Sequence, residues 1–143
     1  MTEAAAPKPP EHPAPGSVAD VMHPPVTTVE QGDHVAAAAY LMKHASATAL
    51  MVVDPQTSEP VGIITEADIA RVVADGKNVN DVRVHDLMTS KPTTISAAAS
   101  IRIAARIMTD GHFRHLPVVG DTGLIGMVDI TDVCRALLGP DGD

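Results

Sequence analysis

The chain has 143 residues with one tyrosine, one phenylalanine and no tryptophan, which predicts one compact domain whose core is built from Val, Ile, Leu, Met and Ala. Its formal net charge of −8 argues against nucleic acid and against an anionic membrane surface, because no basic patch is available to neutralise phosphates. The single cysteine, Cys134, excludes an intramolecular disulfide, and no stretch approaches the ~20 apolar residues of a membrane span, so a cytoplasmic protein is expected.

Residues 1–16 carry five prolines and no hydrophobic period, and are expected to form a disordered Pro/Ala-rich tail with no signal-peptide pattern. Ser17 is placed to cap a short helical turn through Met22, which Pro24-Pro25 breaks. A strand is predicted over 26–29. A helix opening at Asp33 or His34 follows, with Val35, Ala38, Ala39 and Met42 on one face. Ala49–Val53 and Val61–Thr65 read as strands joined by a loop, and Glu66–Ala74 as a helix closed by Gly76. A polar linker leads to a second series. It comprises a turn at Val84–Met88, a strand near Thr93–Ile95 and a helix Ile101–Asp110 ended by Gly111. Strands His115–Val119 and Leu124–Val128 and a helix Ile130–Leu138 complete it. Cys134 is expected as a small apolar residue of that last helix, and 140–143 as an acidic tail.

The second series repeats the first. Shifted by 66 positions, Val18-Ala19-Asp20-Val21-Met22 falls on Val84-His85-Asp86-Leu87-Met88, and Leu50-Met51-Val52-Val53 on Leu116-Pro117-Val118-Val119. After the longer first loop the shift is 64, so that Gly62 meets Gly126, Asp68 meets Asp132 and Arg71 meets Arg135. The expected division is a tail at 1–16, repeat one at 17–76, a linker at 77–82, repeat two at 83–139 and a tail at 140–143. Each repeat runs strand, helix, strand, strand, helix. A repeat of this size buries too little alone, so the two are expected to pack sheet to sheet about a pseudo-twofold axis as an α+β (α/β-like) domain, with a cleft between them.

The most informative stretch is Gly62-Ile63-Ile64-Thr65-Glu66-Ala67-Asp68, with its edited copy Gly126-Met127-Val128-Asp129-Ile130-Thr131-Asp132. Each is a buried strand turning directly into a helix. A hydroxyl or carboxylate followed three residues later by a carboxylate forms a capping box, which suffices as a structural account. The same turn also presents free N–H groups, an acceptor carboxylate and, at Gly62, a backbone without a side chain.

These repeats resemble the cystathionine-β-synthase (CBS) domain in tandem, over roughly residues 17–139. The resemblance rests on the Val18–Met22 and Val84–Met88 segments and on Val26-Thr27-Thr28-Val29. Arg114-His115-Leu116-Pro117-Val118-Val119 and both strand-to-helix stretches also carry it. It implies a regulatory, non-enzymatic module that binds AMP, ADP, ATP or sometimes S-adenosylmethionine between the repeats, commonly as a homodimer, and acts on a protein partner. By the family's pattern Thr65 would contact phosphate and Asp68 and Asp132 ribose hydroxyls. Backbone groups of Val26, Thr27 and Thr28, and of Thr93 and Thr94 in the second half, would meet adenine, and Gly62 and Thr131 complete the set. Asp129 departs from the Thr or Ser expected there. A carboxylate facing a phosphate at 4 Å costs ~4 kcal/mol near a protein surface, so two unequal sites are expected. The second is then empty, holds an uncharged nucleoside portion, or needs a cation. Arg114 and His115 are candidate phosphate partners, or else ordinary strand-edge residues. Arg71 and Arg135 read as solvated helix-surface residues. The seven histidines are scattered and no metal site is expected. A ligand-independent dimerisation scaffold stands as the alternative function.

Overall fold

The computed structural model describes residues 16–24 and 27–139; the two expected tails, apart from Gly16, and Val26 lie outside them. A single 3₁₀ turn, Val18–Asp20, precedes β1 (Thr28–Val29), α1 (Val35–Ala45), β2 (Ala49–Val53), β3 (Pro60–Thr65) and α2 (Glu66–Ala74). The second half comprises α3 (Val84–Leu87), β4 (Thr89–Ser90), β5 (Ile95–Ser96), α4 (Ile101–Gly111), β6 (His115–Gly120), β7 (Gly123–Asp129) and α5 (Ile130–Leu138). This is the expected α+β repeat, and most boundaries fall within a residue or two of the hydrophobic pattern.

Two small mixed sheets result, ordered β1-β2-β3-β4 and β5-β6-β7. In each, the short first strand runs parallel to the second, and the next pairing is antiparallel. The helices cover one face of each sheet. Val35, Ala38 and Met42 of α1 meet Leu50, Val52 and Ile64 in one core. Ile101, Ala104 and Met108 of α4 meet Leu116, Val118 and Val128 in the other. Spacing by three and four places each helical set on one face, and strand alternation does the same for each sheet. The opposite faces carry Met51 and Ile63, both buried outside those two cores, and Met127, which shares a groove with Met51 between the halves.

The leading segment of each repeat sits on the other repeat's sheet. Val18 is fully buried in the second core, and Val84 in the first. The backbone contacts match across the shift: Val18 N–H donates to Ala99 O and Val84 N–H to Asp33 O, both at 2.8 Å. His23 bridges Met127 on the open edge of β7, as β4 pairs with the edge of β3 at Ile63↔Thr89. The exchange caps two sheet edges that would otherwise present unpaired backbone groups.

Several sequence expectations are corrected. Of the strand expected over 26–29, Val26 lies outside the described residues, Thr27 is not in a strand, and Thr28–Val29 pair in parallel with β2. The strand near Thr93–Ile95 shifts to Ile95–Ser96, and β4 was not expected. The linker is docked, with Val79 and Val82 carbonyls accepting from Ala36 and Val35 N–H at the start of α1. Gly111 belongs to α4, and the left-handed residue that ends the helix is His112 (φ 59°), matching Ser46 (φ 53°) after α1. Gly111 is needed for space, since a Cβ there would lie 2.2 Å from the Phe113 ring. Cys134 is exposed on α5.

Candidate functional site

The strand-to-helix turns hold two buried carboxylates. Asp68 and Asp132, each 6% exposed, are the only buried charged residues among those described. Thr65 caps α2: its Oγ1 accepts from Asp68 N–H at 3.3 Å, while Thr65 N–H and hydroxyl donate to Asp68 Oδ2 at 2.8 and 3.1 Å. The Arg71 guanidinium binds the other oxygen, Oδ1. Arg71 is a largely exposed helix-surface residue, as expected, and one helical turn also brings it onto Asp68. In the second half Asp129 Oδ1 accepts from Asp132 N–H at 2.9 Å, and Asp132 Oδ2 from Asp129 N–H at 3.1 Å. The other oxygen of Asp132 meets no arginine. It lies 2.8 Å from Nε2 of His23, 109 residues away in the chain.

The cleft between the halves has a volume of about 640 Å³, within the ~300–1,000 Å³ usual for small-molecule sites. Its walls take Thr65, Glu66 and Ala67 from the first turn and Asp129, Ile130 and Thr131 from the second, so the N-termini of α2 and α5 open into one space. Glu66 N–H is taken by Thr48 O and Ile130 N–H by Arg114 O. The amides of Ala67 and Thr131 have no partner among the described contacts, and they add to the positive helix ends.

Thr93, Arg114 and His115 also line this cleft, joining Thr65 and Thr131 as expected. Lys91 and His112 were not anticipated. Lys91 takes the place of Pro25 under the 66-residue shift, the same comparison that singles out Arg114 opposite Thr48. Its positive φ of 50° marks the turn after β4 that presents it. Other expected residues lie elsewhere. Asp68 and Asp132 sit beneath their capping boxes, and Thr28 and Thr94 are exposed outside the cleft lining. Thr27 instead lines a smaller groove of about 340 Å³ with His23, Met127 and Asp129, the pseudo-symmetric counterpart. A Cβ at Gly62 would lie 2.5 Å from Met88 Sδ and 3.1 Å from Thr89 O, so the glycine also makes room for the exchanged strand.

His115 ties the halves together, its Nε2 2.8 Å from Thr48 Oγ1. Burial pushes its pKa below the usual histidine range. Arg114 adds to that shift, while Asp129, Glu66 and Asp132 oppose it. A histidine held neutral is a poor counter-ion for phosphate, which leaves Arg114 and Lys91 as the cationic groups on the wall.

The model of the family described as "CBS domain" matches residues 18–75 and again 84–139. The chain belongs to the CBS-domain family. Its two CBS domains are the two halves of the repeat, and their turns form the cleft. Among known proteins, the chain is similar to the Arabidopsis thaliana mitochondrial CBS domain-containing protein CBSX3, with 40% identity over 94 residues. That match covers 63% of this chain and spans 46% of the relative's length. Two solved structures share the fold. CBSX2 in complex with AMP superposes with a TM-score of 0.72 at 29% identity, over 86% of this chain and 96% of that one. The CBS domain pair of protein MJ0100, in complex with 5′-methylthioadenosine and S-adenosyl-L-methionine, gives 0.76 at 26% identity, over 85% and 94%. No helix among the described residues is long and apolar enough to cross a membrane.

Proposed function

We propose that this CBS pair is a regulatory sensor whose inter-repeat cleft binds an adenine nucleotide (AMP, ADP or ATP) and thereby changes how the chain engages a protein partner. The observation that carries the reading is the convergence of two helix N-termini, Lys91 and Arg114 on one cleft in a chain of net charge −8. Two cationic side chains beside two helix N-termini suit a phosphate, with Glu66 and Asp129 as the anionic groups on the same walls. The AMP and S-adenosyl-L-methionine complexes of the two similar structures support an adenine ligand. The exposed apolar residues Tyr40, Val73, Ile103, Leu137 and Leu138 lie on helices of both halves, and a homodimer would cover them.

One observation favours a ligand-independent scaffold instead. Both oxygens of Asp68 are already engaged, by Thr65 and Arg71, so a ribose must displace Arg71 to reach them. Calorimetric titration with AMP, ADP, ATP and S-adenosylmethionine decides. Saturable binding near one ligand per chain, weakened about tenfold or more by Arg114→Ala, is expected for a charge-assisted phosphate contact. No heat from any of the four, with a folded dimer confirmed by light scattering, selects the scaffold.

A further inference from the structure

We propose that His23, Asp129 and Asp132 form a binding site for a divalent transition-metal ion of the zinc type. The inference comes from comparing the two turns of this one chain. In the first half the matched positions are Thr89, Thr65 and Asp68, with Arg71 bound to the buried carboxylate. In the second half a hydroxyl has become the imidazole of His23 and another has become the carboxylate of Asp129. Arg135, the counterpart of Arg71, is exposed and forms no ion pair with Asp132 among the described residues. Both replacements install a metal donor, and the third change withdraws the competing guanidinium.

The donor atoms are disposed for it. Capping uses Oδ1 of Asp129 and Oδ2 of Asp132, which leaves one oxygen of each outside the cap. Asp132 Oδ1 already faces His23 Nε2 at 2.8 Å, and ligand atoms of all three residues lie within 4.8 Å of one another. Two donors bound at ~2.0–2.2 Å to one ion stand about 3–4 Å apart, so small side-chain rotations close the site. The exposed His23 ring can make that adjustment while its backbone is pinned by reciprocal 2.8 Å bonds to Met127. Two neighbouring carboxylates, one of them buried, repel each other, and a divalent cation relieves that repulsion; the first half has one carboxylate there, met by Arg71.

One imidazole with two carboxylates suits zinc, cobalt or nickel better than magnesium or calcium, which favour all-oxygen sites. Three protein donors leave a coordination position for water or an incoming oxygen ligand. The groove of about 340 Å³ shared by His23, Pro24, Thr27 and Asp129 gives access to it. The ion would cancel the two carboxylate charges at the turn where Asp129 otherwise repels anions.

The test is calorimetric titration of the untagged, chelator-stripped full chain with zinc chloride, repeated with cobalt(II) while following its visible absorption. One equivalent of zinc is expected, weakened about tenfold or more by His23→Ala and by Asp129→Thr. Asp129→Thr installs the hydroxyl cap that Thr65 uses, so the helix start is kept, and circular dichroism checks the fold. His85→Ala should bind as the parent does. The proposal is overturned if the parent takes up no zinc, if neither His23→Ala nor Asp129→Thr changes uptake, or if excess magnesium displaces the zinc.

Discussion

Replacing Asp68 by alanine tests how the first turn is held. The carboxylate accepts from the Thr65 N–H and hydroxyl and neutralises Arg71 from a position 6% exposed. Losing the bond from the Thr65 hydroxyl costs ~1 kcal/mol. Leaving the part-buried Thr65 N–H without its acceptor costs about 1 kcal/mol more. The Arg71 pair adds only ~0.5 kcal/mol, because its side chain is 65% exposed and solvent screens it. The expected loss is therefore ~2.5 kcal/mol, a fall in Tm of roughly 8 °C for a domain of this size. Thr65→Ala keeps the carboxylate and its bond from the backbone, and should cost ~1 kcal/mol. Urea unfolding with ligand absent measures both. A loss under ~0.5 kcal/mol for Asp68→Ala would refute the reasoning, because three interactions assigned to one side chain would then be worth less than a single hydrogen bond.

Val18→Ala should cost about 2 kcal/mol, since two methyl groups leave a fully buried position in the second core. A negligible change in the urea midpoint would show that the exchanged leading segment does not hold that core. Gly62→Ala should destabilise by ~1–3 kcal/mol, because the new methyl meets Met88 and the Thr89 carbonyl. Adding Met88→Ala should recover only part of the loss, the backbone contact remaining, and full recovery would contradict that assignment. For His115, whose folded pKa lies below the unfolded 6.5, the unfolded chain binds the proton more readily. Its contribution is therefore present at neutral pH and lost as pH falls below ~6.5. Thermal melts between about pH 7 and pH 5 should show a smaller acid-induced drop in Tm for His115→Gln than for the parent. Equal drops would remove His115 as the titrating group.

Local energetics are written in short stretches of chain, and these were legible. Apolar spacing set α1, α4 and both hairpins of strands. The pairs Thr65/Asp68 and Asp129/Asp132 announced the two helix starts, because a cap is a contact between residues three apart. Internal repetition supplied the pairing of halves and the cleft between them. The glycines read only as sites of backbone freedom: Gly62 also makes room for Met88, brought by the fold, and Gly111 for the ring of Phe113 two residues on.

What only the tertiary structure decided are the partners. Nothing within a few residues of Val18 or Val84 says that each belongs to the other repeat's core; that follows from which sheet edge stands open once both halves fold. The same exchange carries His23 to Asp132, while Asp68 finds Arg71 on its own helix, so two turns alike in sequence acquire different chemistry. The turn after β4 brings Lys91 to the cleft, and Thr48 meets His115 only because the halves pack face to face. Sequence by itself determined the family, the repeated elements and the capped turns, because those rest on interactions between near neighbours. The charge and ligand character of the second turn and of the cleft rest on contacts between residues tens of positions apart, and those exist only once the two repeats share one structure.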